Sequence, residues 1–435
     1  MYSSEIMKKL KKKNIQVGDR VKVLSRDKVF EGILMPRPYS GDAHIIVLKL
    51  DNGYNIGVVA ESIDLVKTGS ISKQTKESHS KTNAGEISIL GCGGTIASKI
   101  EYTTGAVYPS ITAKELRMAF PDLEKWPINS RQLFSLFSED MNSHHWKILA
   151  DEIEKDLKAG AKGVVVMHGT DTMTYTSAAI SFMLQNLPAP VIFVGSQRSS
   201  DRPSSENRSN LLNSVFSATQ NLGEVTVCMH ASTNDDFCYL HRGTRVRKMH
   251  TSRRDAFQSI NSLPLAAVAH RENRFDGLAD YKSRSKPGEM ISKKSINDNV
   301  ALIYMHPNIK PKLISSLDSY DGVVLVGTGL GHAPINSFND KTVKSIYKQI
   351  SELVSSGIPV AMSSQCIGGR ICMRVYTTGR LLMNAGVIGD GADWTPETAY
   401  VKLCWVLGQT KKMDKIKEMM MTNMVGEISE RSALL

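Results

Sequence analysis

The 435-residue chain lacks any apolar run near the ~20 residues that cross a bilayer, and this excludes a membrane-spanning helix of ordinary length. The apolar runs it does have, "GVVVM", "PVIFVG", "VALIYM" and "GVVLVG", are short and read as buried strands of a parallel sheet. Cysteine is sparse. Cys92, Cys228, Cys238, Cys366, Cys372 and Cys404 lie far apart with no C-x-x-C pair, which argues against a disulfide framework and a zinc site; most are expected to be reduced and buried. The N-terminal "MYSSEIMKKLKKKN" carries lysines but no following apolar region and no small-residue cleavage site, so no secretory signal is expected and the cytoplasm is the expected address. A P-loop is missing as well, and no obvious magnesium cluster appears.

What is present is unevenly charged. Of a formal net charge of +11, residues 1–84 hold +6, from 15 Lys and Arg against 9 Asp and Glu. Such a basic end suits an acidic partner, RNA first among them, although a solvated charge run gives the same count.

The texture changes three times along the chain. Residues 1–67 contain short strand-like pieces, "VGDRVKVL", "FEGILMP", "AHIIVLKL", "GYNIGVV" and "SIDLV", separated by turn signals, and predict a small all-β, SH3-like barrel. Residues 68–84, rich in Ser, Thr, Lys and Gln, cannot bury a core and mark a linker. From residue 85 to 285 strands alternate with helices, which predicts a doubly wound parallel sheet; Thr112 and Glu115 form a capping-box pattern for one of the helices. Residues 286–435 predict a smaller α/β unit, with Thr395, Pro396 and Glu397 as N-cap, first residue and first-turn acid of a helix.

The glycine-rich "GCGGTIAS" follows the strand-like "EISIL", yet it matches neither G-x-G-x-x-G nor G-x-x-x-x-G-K-[ST] and has no lysine where a phosphate would need one. A strand ending at Leu90 instead puts this loop at the carboxyl edge of the sheet, where open α/β folds bind ligands. Thr95 is then the first side chain with a nucleophilic oxygen; taken alone it reads equally as a turn cap, because a threonine hydroxyl needs a group to take its proton. Thr170 and Asp171, after "GVVVM", fall at the same edge. They suit an ammonium or a water, and Asp171 also suits an ordinary helix N-cap. Lys248, in "TRVRKMHTSRRDAF", is either a base held near other groups or an exposed lysine on a basic hairpin.

Taken together, "GGTIAS" with its following "YTTG", "SEDMN", "HGTDTM" and a lysine ahead of "HTSRRDAFQSIN" resemble the bacterial-type L-asparaginases over residues 86–435. The resemblance implies two asparaginase-type domains and an amidohydrolase with threonine nucleophiles. It implies that Thr95 attacks the side-chain amide while Tyr102 rides on a mobile flap. Thr170, Asp171 and Lys248 then form an activating triad, and Ser138 and Glu139 face the substrate's α-carboxylate and α-amino groups. In close dimers of that family the smaller domain helps complete the neighbour's site, and His332 falls where a loop residue would reach across; a histidine without catalytic part fits the same position. No metal ligand is implied.

A stand-alone asparaginase has no basic barrel in front of it. The combination resembles the ammonia-supplying subunits of archaeal glutamyl-tRNA(Gln) amidotransferases. It implies hydrolysis of glutamine, with asparagine as an alternative donor, by a homodimer inside a heterotetramer. A larger partner, the amidotransferase's E subunit, would use ATP and magnesium to activate the glutamate on Glu-tRNA(Gln); this chain would carry no cofactor. Two other readings stay open: a free cytoplasmic asparaginase, which would turn over asparagine fully on its own, and an inactive tRNA-binding scaffold, which would not need the Thr95, Thr170, Asp171 and Lys248 set.

Overall fold

The computed structural model describes residues 2–35, 42, 44–50, 55–68, 83–93, 98–100, 107–109, 116, 120–198, 205–335, 340 and 342–432. The basic N-terminal end opens with a helix, Ser4–Lys12, that sequence patterning did not single out: Ser3 caps it, and Ile6 and Leu10, one turn apart, are its buried face. The helix packs on five antiparallel strands, Arg20–Ser25, Lys28–Leu34, Ile45–Lys49, Asn55–Val59 and Ser62–Lys67, in spatial order 4-3-2-1-5. Val21, Val23, Leu34, Ile46, Leu48 and Ile63 make a separate apolar core with Ile6 and Leu10.

Beyond it stands an eight-stranded sheet in the order Arg274–Gly277, Ala266–Ala269, Cys238–Arg242, Val225–His230, Val191–Val194, Gly163–Met167, Ile87–Gly93, Ile128–Leu136. The last five in that list run parallel, as the alternating strands and helices predict. The first three extend the sheet antiparallel. For two of the three junctions the reason is connection length: residues 231–237 and 270–273 suffice for a turn but not for the dozen or so residues of a parallel crossover. In the central strand every residue is buried, and the period of two splits it: Val164 and Val166 join one core, Val165 and Met167 the other.

The helix Ser143–Lys158 starts at Asn142, whose side chain and His145 form a reciprocal cap, and stops before Gly160, whose φ of +86° suits glycine. Met173–Met183 and Asn207–Ser217 are the next two helices, each between two strands of the sheet as the alternation predicts. The capping-box pair Thr112 and Glu115 lies outside the described residues.

The smaller unit carries a three-stranded parallel sheet, Val300–Tyr304, Gly322–Gly327 and Val360–Ser364. Its helix Pro396–Gln409 begins as the sequence predicts: the Thr395 side chain accepts from Thr398 N, Pro396 is the first residue and Glu397 lies in the first turn. This helix packs against Met173–Met183, and one apolar cluster runs from the large sheet through both helices into the small one.

Candidate active site

Parallel strands 87–93 and 163–167 are neighbours, but the chain leaves them in opposite directions: the strand that follows the first, Ile128–Leu136, lies on its outer side, and the strand that follows the second, Val191–Val194, lies on the other. This is a topological switch point, and the crevice beyond the carboxyl ends of such strands is where open α/β sheets bind ligands. The first of these strands ends there at Gly93, and the second runs into a loop made of His168, Gly169, Thr170, Asp171 and Thr172.

The glycines here permit close approach. Gly93 has φ +93°, and a Cβ on it would collide with the Leu136 backbone; a Cβ on Gly169 would sit 2.7 Å from Ser138 Cβ. Ser138, in the short 3₁₀ turn Ser138–Asp140, is therefore packed directly against the loop. A hydrogen bond reinforces that join: the Thr172 hydroxyl donates to the Ser138 carbonyl at 2.5 Å.

Lys248 arrives from a different element, the end of the strand Val246–Lys248, paired with Phe257–Ser259. Its Nζ donates to Thr170 Oγ1 at 2.9 Å and to Asp171 Oδ1 at 2.7 Å. Thr170 is buried and the lysine side chain is 13% exposed, whereas the Asp171 side chain is 65% exposed. An ion pair this open contributes about 0–1 kcal/mol to folding, and its carboxylate stays available to a cation from solvent. The N-cap alternative for Asp171 is not what forms. Thr172 occupies the cap position of helix Met173–Met183, without a capping side-chain bond, and Asp171 turns to Lys248 instead.

Of the eight residues singled out from the sequence, Thr170, Asp171, Lys248 and Ser138 come together. Glu139 stands exposed on the same turn as Ser138, and no described hydrogen bond or ion pair joins it to the other three. His332 lies in the smaller unit, at a bridge with Thr328. Its Nδ1 is 3.2 Å from Thr378 Oγ1 and its ring meets Tyr376 edge-on at 5.4 Å. Burial lowers its pKa, and its Nε2 is buried without a partner among the described residues. Thr95 and Tyr102 lie outside the described residues; the segments flanking Tyr102, Ser98–Ile100 and Val107–Pro109, pair antiparallel.

Two contributors were not found from the sequence. Thr172 was legible only as a neighbour of Asp171. His168 leads into the loop fully buried; its Nδ1 is 2.7 Å from the Gly169 carbonyl, and burial holds its pKa at about 4. It is thus a neutral ring that donates to the backbone of the loop. A histidine at the end of a buried apolar strand was the available signal.

The sheet order, the switch-point loop and the Thr170–Asp171–Lys248 group together define an asparaginase-type α/β protein. Comparison agrees: residues 86–279 match the asparaginase N-terminal family model and residues 299–420 the glutaminase/asparaginase C-terminal domain. The solved thermostable L-asparaginase of Thermococcus kodakarensis superposes with a TM-score of 0.70 at 29% identity, covering 80% of this chain and 100% of that one. L-asparaginase I of Vibrio cholerae gives 0.67 at 29% identity, covering 80% and 99%. The N-terminal part narrows the assignment, since residues 15–67 match the GatD N-terminal domain. The D subunit of the Pyrococcus abyssi glutamyl-tRNA(Gln) amidotransferase is 47% identical over 97% of this chain and 96% of its own length. That of Methanothermobacter thermautotrophicus is 46% identical over 100% and 98%. The chain belongs to this GatD family, the D subunits of glutamyl-tRNA(Gln) amidotransferases.

Proposed function

We propose that this chain hydrolyses glutamine, with asparagine as an alternative donor, and delivers the ammonia to a larger partner, the amidotransferase's E subunit. That partner would use ATP and magnesium to activate the glutamate carried on Glu-tRNA(Gln), so that ammonia converts it to the amide. The observation that carries the reading is Lys248 Nζ held between Thr170 Oγ1 and Asp171 Oδ1 at the switch point. An inactive scaffold would have no need of a lysine amine, a hydroxyl and an open carboxylate assembled from two separate elements at a ligand-binding edge.

In the proposed reaction the Thr95 hydroxyl oxygen bonds to the amide carbon, its proton passing into the Thr170–Lys248 pair. The tetrahedral intermediate collapses when the amide nitrogen takes a proton and leaves as ammonia. Water, deprotonated by the same pair, then attacks the threonyl ester and releases glutamate. Asp171, 65% exposed, would hold the substrate's α-ammonium, with Ser138 and Glu139 completing the contacts to its α-carboxylate and α-amino groups. Tyr102 would close over the bound substrate and shut out water. The chain would act as a homodimer within a heterotetramer, in the cytoplasm. His332, on its loop in the smaller unit, would reach the neighbouring protomer's site.

The test is ammonia release from glutamine by the purified chain, alone and with a co-purifying larger partner and Glu-tRNA(Gln). Turnover is expected to rise with the partner and tRNA, and Thr95→Ala is expected to abolish it. Wild-type turnover by Thr95→Ala would remove the nucleophile assignment, and a trapped acyl-enzyme would decide between Thr95 and Thr170. Full asparagine turnover by the chain alone, with no larger protein co-purifying, would favour a free asparaginase.

A further inference from the structure

Lys248 is a long, flexible side chain, and where its amine sits depends on where its short strand is held. Alternate residues of a strand face opposite ways, so Lys248 turns toward Thr170 while Arg245 and Arg247 share the other face. Both arginines cross to the C-terminal unit. Arg247 Nε lies 3.0 Å from Glu397 Oε1, at the start of helix Pro396–Gln409. The buried Arg245 donates to the Gly426 carbonyl at 2.8 Å, the Asp393 carbonyl at 3.1 Å, Asp393 Oδ1 at 3.2 Å and Ser429 Oγ at 2.8 Å. The far side of the hairpin is held likewise: Asn261 Nδ2 donates to the Asp393 carbonyl at 2.7 Å, and its Oδ1 accepts from Gly369 N at 2.7 Å.

Stability alone is a weak reason for this arrangement. Glu397 is buried with its Oε2 unpartnered among the described residues, and a packed apolar pair commonly serves folding as well as an incompletely bonded ion pair. What an ion pair across the domain boundary adds is a fixed register between the helix and the strand one residue before the catalytic amine.

We propose that Arg247 and Glu397 are positioning residues for Lys248, which makes the C-terminal unit a working part of the site although it gives no group to the Thr170–Asp171–Lys248 set. The proposal rests on Lys248 being the proton-handling group. Arg247→Lys keeps the charge but loses the fixed guanidinium fork, and Glu397→Gln keeps the shape but loses the charge. With the full chain and its co-purified partner, each is expected to lower kcat for glutamine hydrolysis about 10- to 100-fold, the scale of an ångström-sized misplacement. KM is expected to change less than about 3-fold, and the kcat/KM pH profile to move, because Lys248 then sits differently against Thr170 and Asp171. A merely structural pair would lower the thermal midpoint and leave kcat and the pH profile of the folded enzyme unchanged, and that result overturns the proposal. Lys248→Met separates the two ideas. If it is inactive while the Arg247 and Glu397 variants are wild-type, only the positioning role fails; if it too is wild-type, the role of Lys248 fails with it. Should Glu397→Gln not fold, Arg247→Lys carries the same measurement.

Discussion

At the scale of single residues, two buried histidines make stability depend on pH. Burial holds His168 at about 4 and His241 at about 3, against an ordinary 6.5. As pH falls below 6.5 the unfolded chain takes up protons at both residues while the folded chain refuses them, so the unfolded state binds more protons and stability drops. The contribution is fully present above 6.5 and is lost toward pH 4 and below. For His168 alone the loss between pH 7 and pH 5 comes to about 2 kcal/mol. His168→Asn keeps a donor for the Gly169 carbonyl and removes the titration. Its urea midpoint is therefore expected to fall less between those pH values than that of the wild type, and parallel curves would show that His168 is not the group responsible. The residues themselves were unevenly legible. Thr170 and Asp171 could be named from their strand-end position and Lys248 only through the family resemblance, but whether Asp171 capped a helix or met a lysine depended on the hairpin 77 residues later in the chain, a contact no local pattern encodes.

At the scale of elements, what could be read was what period and caps encode. Three of the continuous apolar runs became fully buried parallel strands, the fourth, Val300–Tyr304, a parallel strand buried only at its start, and Thr395 caps its helix as its neighbours suggest. Thr395→Ala is expected to cost about 1 kcal/mol in denaturant unfolding, the usual loss for a removed N-cap. Because Thr395 is buried and its helix carries Glu397, the same variant also tests whether the helix start matters to turnover: a fall in kcat well below the melting range would add to the positioning role of Glu397. Two features escaped the patterns for physical reasons. The N-terminal helix is nine residues long with only two buried side chains, too short a run for its period to stand out. The antiparallel extension of the large sheet uses Cys238–Arg242, Ala266–Ala269 and Arg274–Gly277, short strands that look the same in either direction; the short connections at 231–237 and 270–273 turn the first and the last of them back.

At the scale of the whole molecule, the chain has two independent ways of burying apolar surface. The barrel core, built on Val21, Val23, Leu34, Ile46 and Leu48, is separate from the clusters that unite the large and small sheets. The active-site group, the hairpin that carries Lys248 and the arginines that tie it down all belong to the latter. A chain beginning at residue 85 is therefore expected to fold with a thermal midpoint within about 3 °C of the full chain's main transition, since domains with their own cores unfold largely on their own terms. Its basal turnover of glutamine is expected to stay within about twofold. Residues 1–84 hold +6 of the net +11, so their removal is expected to fall on the response to an acidic partner: stimulation by Glu-tRNA(Gln) and the larger partner protein should drop. In the full chain that stimulation should weaken as salt rises from about 50 to about 300 mM, a dependence the shortened chain should lack. Full stimulation of the shortened chain, with an unchanged salt dependence, would move the partner contact off the barrel and onto the asparaginase-type body.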